Sequence, residues 1–140
     1  MPKAEKENTQ IIEQILALHS SAIQILTKKV MNTIQEMNPE FEIRGYPVWK
    51  AVGFRHETAG YICGIFPQKN FVQLVFEWGI LLDDKENILE GSGKQIRSLI
   101  LYTAKDIRKK TIQNFIEQSI DLPREKEIRK KFAEEKLQKK

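Results

Sequence analysis

Four acidic residues, Asp83, Asp84, Glu86 and Glu90, lie just ahead of a Gly-Ser-Gly-Lys loop at residues 91–94, and Arg97 follows it. Carboxylates clustered on a loop, with Glu77 on the strand before them, are the oxygen donors that a hard cation such as Fe²⁺, Mg²⁺ or Ca²⁺ prefers. Their spacing is not that of an EF-hand, and no histidine stands near them in sequence. A solvated acidic turn answered by Lys85 and Lys94 accounts for the same residues. The glycine-lysine pair invites comparison with a phosphate-binding loop, but that motif needs a glycine at position 88 and a hydroxyl at position 95. Ile88 and Gln95 stand there instead. The loop also runs into a strand pattern and not into a helix, so no helix N-terminus would face a phosphate. It reads as a turn that lets Arg97 begin the next strand.

Other catalytic constellations are missing. His19 and His56 are the only histidines, Cys63 is the only cysteine, and no CxxC, HExxH or G-x-S-x-G spacing occurs. Zinc and serine-nucleophile chemistry therefore have no motif to stand on, and the chain reads as a non-enzymatic domain. A binding site is better supported. Trp49 and Trp78 each begin or end a predicted strand, where a pocket mouth is built, and Tyr46, Lys50, Lys94 and Arg97 join them as candidates. Converging at one end of a sheet, they would hold a small ligand, with Lys94 and Arg97 taking an anion by charge-assisted hydrogen bonds. Core packing is the competing account of the aromatic members.

The elements that must position these residues follow from periodicity. Residues 8–37 carry apolar side chains at helical spacing, from Ile11 and Ile15 to Val30 and Ile34. Ser20 or Ser21 would cap a second helix there, so one long helix and two bent ones both fit. Asn38-Pro39 ends the run. Residues 41–52 are β-like but broken by Gly45 and Pro47, which suits an edge. A turn at His56–Thr58, a strand from Ala59 to Phe66 and a turn at Pro67–Asn70 come next. The strand Phe71–Trp78 alternates, with Val72, Leu74, Phe76 and Trp78 on one face and Phe71, Gln73, Val75 and Glu77 on the other. A further strand spans Ile96–Tyr102. Thr103 would cap a helix over 104–119 with Asp106 in its first turn, and Asp121-Leu122-Pro123 would end it. Residues 124–138 read as an exposed helix or frayed tail.

Composition narrows the class. A chain of 140 residues with 41% hydrophobic and 30% charged content makes one α+β domain with a modest core. No apolar run reaches the roughly 18 residues of a membrane span. The polar N-terminus and the lone, buried-looking thiol fit a cytoplasmic protein. The net charge of +4 is concentrated at the end: residues 121–140 hold eight basic and five acidic side chains, against 15 and 14 in the remainder. A nucleic-acid partner is therefore expected, if at all, only through this basic tail.

With these residues in view, the chain resembles the YdhG-like domain family, a bacterial group mostly of unknown function. The resemblance rests on Gly45-Tyr46-Pro47-Val48-Trp49, on Phe66 to Val72, and on Leu74-Val75-Phe76 with Gly79. It continues through Leu82-Asp83-Asp84, Ile88-Leu89-Glu90-Gly91 and Gly93-Lys94 with Arg97, and covers about residues 22–120. Ser98 and the Glu77–Trp78 pair depart from the commoner pattern. The resemblance implies a two-layer fold of four to five mainly antiparallel strands flanked by N- and C-terminal helices, similar in outline to frataxin. It implies iron delivery as a role, because a frataxin-like iron chaperone is among the relatives. Three functions are thus carried forward: a metal-chaperone-like domain using Asp83, Asp84, Glu86 and Glu90; a small anionic ligand-binding domain; and an interaction module using a basic helix over 123–140.

Overall fold

The computed structural model describes residues 3–139. The N-terminal apolar run forms two helices, α1 (Lys3–Ala17) and α2 (Ser21–Met37). Ser20 makes the break: its backbone is extended and its hydroxyl accepts the N–H of Ile23 at 3.3 Å, satisfying one donor that the first turn of α2 would otherwise leave bare. Asn38 closes α2, its amide nitrogen donating to the carbonyl of Ile34 (2.9 Å) and to Gln113 (2.9 Å).

Five strands follow: β1 (Glu42–Tyr46), β2 (Ala51–His56), β3 (Gly60–Pro67), β4 (Val72–Phe76) and β5 (Arg97–Leu101). Each pairs antiparallel with its sequence neighbour, giving the order β1-β2-β3-β4-β5. The single broken segment expected over 41–52 is in fact a hairpin. Pro47 lies in its turn, where the missing N–H costs nothing, and Lys50 takes a left-handed backbone (φ 54°) that reverses the chain before β2. Strand β2 also runs one residue into the turn expected at His56–Thr58. The turn survives, displaced, because the His56 ring accepts the N–H groups of Thr58 (3.1 Å) and Ala59 (3.0 Å).

Helices cover one face of this sheet. Phe54, Cys63, Ile65, Leu74, Phe76, Leu99 and Leu101 point inward against Val30 and Ile34 of α2. α3 (Lys109–Asp121) adds Ile112, Phe115 and Ile116 to the same core, with the Phe115 ring edge-on to Phe76 at 5.7 Å. Thr103 does cap, but it caps a single 3₁₀ turn (Ala104–Asp106), and the helix proper begins at Lys109. Asp106 holds that turn by accepting the N–H groups of Tyr102 (2.8 Å) and Thr103 (3.0 Å), which also keeps its carboxyl below the usual range.

The outer strands are tied off by other means. In α1, Asn8 donates to the Ile43 carbonyl and accepts from the Gly45 N–H, both at 2.8 Å, along the free edge of β1. Gly45 allows that approach, since a Cβ there would stand 2.8 Å from Ile11 Cγ2. At the other edge, Ser98 of β5 exchanges two backbone hydrogen bonds with Glu90 (2.7 and 2.8 Å).

α4 (Lys126–Gln138) is a helix laid against the body, not a frayed tail. Its Ala133 packs on Trp78 and Ile80, the Arg129 guanidinium lies 6.0 Å over the Trp78 ring, and Lys136 Nζ donates to the Leu82 carbonyl (3.0 Å). No helix among the described residues is long and apolar enough to cross a membrane.

Candidate functional site

The face of the sheet turned away from α1–α3 carries a second set of aromatic residues, Tyr46, Tyr61 and Phe66. Alternation along each strand sends Tyr46, Arg55, Tyr61, Phe66, Val75 and Glu77 to this side. Two glycines occupy its middle: Gly53 of β2 pairs directly with Gly64 of β3. Because neither has a Cβ, the rings above them settle onto the backbone. A Cβ on Gly53 would lie 2.5 Å from the Tyr46 ring, and one on Gly64 would lie 2.2 Å from the Tyr61 hydroxyl.

An extra residue in β3 makes room for this arrangement. Phe54 faces Cys63 whereas Arg55 faces Tyr61, so Ile62 bulges between them. Ile62 and Cys63 both turn inward and Tyr61 is thrown outward over Gly64. Trp49, from the β1–β2 turn, stacks on Tyr46 with centroids 5.7 Å apart and planes 24° from parallel. Tyr61 meets Tyr46 edge-on at 6.2 Å. Together with Phe66, Val75 and Ile96 these rings wall an apolar groove of about 390 Å³, rimmed by Arg55, Glu77 and Gln95. Burial, with Glu77 nearby, pushes the Tyr61 phenol well above its ordinary range and keeps it a neutral donor.

The six ligand-binding candidates do not converge. Tyr46 and Trp49 share the open-face groove. Lys50, beside them, is exposed on the turn. Trp78 and Lys94 line a separate crevice of about 240 Å³ under α4, with Lys130 and Leu137. Trp78 belongs to the opposite side from Glu77, one residue on, and is only 7% exposed. Arg97 is the first residue of β5 and faces inward. Its Nη1 donates to the carbonyls of Gly93 (2.8 Å) and Ile96 (2.7 Å).

The acidic residues have structural partners. Both carboxylate oxygens of Asp84 accept backbone N–H groups, from Ile88 (3.1 Å) and Leu89 (2.8 Å). Glu86 pairs with Arg108 (2.5 Å) and accepts from Thr111 (3.2 Å). The backbone of Asp83 is held by the Gln118 amide at 2.7 and 3.2 Å. Asp83, Asp84 and Glu86 line one shallow crevice against α3, while Glu90 lies apart, bridged to β5. Among the described residues, no three His, Cys, Asp or Glu side chains come together to hold a metal ion.

Of the groove residues, Tyr46 and Trp49 are among the ligand-binding candidates drawn from the sequence, whereas Tyr61, Phe66 and Ile96 are not. The available signal was a glycine in the middle of each of two successive strands, Gly53 and Gly64. Comparison of the chain with protein-family models, with curated proteins and with solved structures gives no match.

Proposed function

We propose that this chain is a non-enzymatic binding domain that takes a small, flat, largely apolar molecule into the groove on the open face of its sheet. One observation carries the reading: stacked Tyr46 and Trp49 stand beside a floor kept low by the Gly53–Gly64 pair. The groove's volume of about 390 Å³ is within the range of small-molecule sites. Its apolar walls would bury the ligand's faces, while Arg55 and Glu77 would take polar groups at its edge. The Tyr61 hydroxyl offers a neutral donor in the floor. A domain of the YdhG-like kind, which the resemblance over residues 22–120 implies, would fit such a binding role.

The test uses 8-anilinonaphthalene-1-sulfonate as a flat amphiphilic probe and a Trp78→Phe background, which leaves Trp49 as the sole tryptophan. Saturable energy transfer from Trp49 to one probe per chain is expected, weakened about tenfold by Tyr61→Ala. Non-saturable binding, or binding that Tyr61→Ala leaves unchanged, would overturn the reading.

A further inference from the structure

We infer that Arg97 forms the floor of a second, independent site, one that binds a small oxyanion at the junction between α4 and the body. Arg97 is 9% exposed, which is unusual for a side chain that is always charged. A cation so buried ordinarily has a carboxylate against it. Among the described residues Arg97 has none, whereas Arg44 and Arg108 pair with Glu42 and Glu86. Within the chain only its Nη1 is used, and only by two neutral carbonyls. Nε and Nη2, the edge of the guanidinium that recognises carboxylate or phosphate in a bidentate fork, have no acceptor from the protein.

The surroundings are built around this side chain. Gly79 and Gly91 wall it on two sides; a Cβ on Gly79 would lie 2.4 Å from Arg97 Cβ, and one on Gly91 would lie 3.1 Å from its Cδ. Beyond it opens a polar crevice of about 370 Å³, lined also by Asn87 and Lys136. Lys136 reaches this crevice from α4 and is anchored there through the Leu82 carbonyl. Asp83 and Asp84 stand on the rim. Asp84 is committed to two backbone N–H groups, and Asp83 would meet donor groups at the far end of the ligand. The occupant is therefore a phosphate or carboxylate group on a small molecule. It would sit between Arg97 and Lys136 and so join the last helix to the sheet.

The full chain, titrated with inorganic phosphate and separately with acetate, tests this against sodium chloride at equal ionic strength. The readouts are the Arg97 Nε–H resonance and the thermal midpoint. A saturable shift of that resonance with phosphate alone identifies a phosphate group; a shift with acetate, alone or as well, identifies a carboxylate. Arg97→Met should abolish the midpoint rise given by the active anion while leaving the ligand-free midpoint unchanged or higher, since it removes an uncompensated buried charge. Arg97→Lys, which keeps the charge but not the fork, should weaken binding about tenfold. If neither anion moves the Nε–H resonance of the wild-type chain at about 10 mM, roughly ten times the concentration that half-fills a site of about 1 mM affinity, the site does not exist. A midpoint rise with the active anion as large in Arg97→Met as in the wild-type chain would show that the anion binds elsewhere and that Arg97 serves the fold alone. Neither result bears on the aromatic groove, whose probe and variants are different.

Discussion

Gly53 and Gly64 face each other across β2 and β3 on the side of the sheet that no helix covers. The pair lets Tyr46 and Tyr61 lie against the backbone, and so sets the depth of the groove. Gly53→Ala would drive a methyl group to 2.5 Å from the Tyr46 ring. Lifting both tyrosines should cost about 1 kcal/mol of stability. It should also weaken the fluorescent probe's binding about tenfold. Chemical denaturation and the probe titration measure the two effects separately, and unchanged probe affinity would mean that the floor does not matter to binding.

Trp78 holds α4. The helix contributes Ala133 to a small cluster with Trp78 and Ile80, while most of its surface is exposed. Local opening of such an element takes less free energy than global unfolding. Amide hydrogens of residues 126–138 should therefore exchange well before those of β3 and β4. Trp78→Ala, which removes the surface α4 lies on, should lower stability by about 3 kcal/mol and bring α4 exchange near that of an unprotected helix.

Cys63 supplies an alkaline signature. Burial raises its thiol above the ordinary value of 9.0. A folded-state value above the unfolded one means that the folded chain holds its proton longer. Stability is then complete below about pH 9 and falls as pH rises further. Denaturant midpoints measured from pH 8 to 10 should show this decline, and Cys63→Ala should flatten it at the cost of a small cavity. In the native state below pH 9 the thiol should resist alkylation, reacting only at the rate of unfolding.

Asp84 is predicted to matter to the fold whether or not metal is present. Its two oxygens satisfy the N–H groups of Ile88 and Leu89. Asp84→Ala leaves both without that partner and should cost about 1.5 kcal/mol. Adding Fe²⁺ under anaerobic conditions should not alter that difference; a metal-dependent change in thermal midpoint for the wild-type chain alone would return the acidic turn to the functional account.

Much of the architecture was legible because burial and periodicity coincide. The alternation of Val72, Leu74 and Phe76 marks β4, and Ile112, Phe115 and Ile116 mark α3. Boundaries slipped where a local hydrogen bond outweighed the pattern. Thr103 and Asp106 form a capping box, yet it encloses one 3₁₀ turn, and Ile107 is extended. Pro47 reads as an interruption in an edge strand, but the left-handed Lys50 three residues later turns the segment into a hairpin. The site was harder to see. Glu77 and Trp78 are adjacent in sequence but serve opposite sides, and Trp78 is taken up by a helix more than 40 residues further along. Arg97 and Lys94 are close in sequence too, yet Arg97 is drawn into a slot between two glycines that only the folded loop brings together.

The ties at the two outer strands have a consequence for association. Unpaired strand edges are templates on which other chains add strands. Here the side-chain amide of Asn8 occupies the backbone groups of Ile43 and Gly45, and Glu90 occupies those of Ser98. A sheet plugged at its first and last strands resists end-to-end growth, and molecules meeting through this domain are left its faces, not its rims.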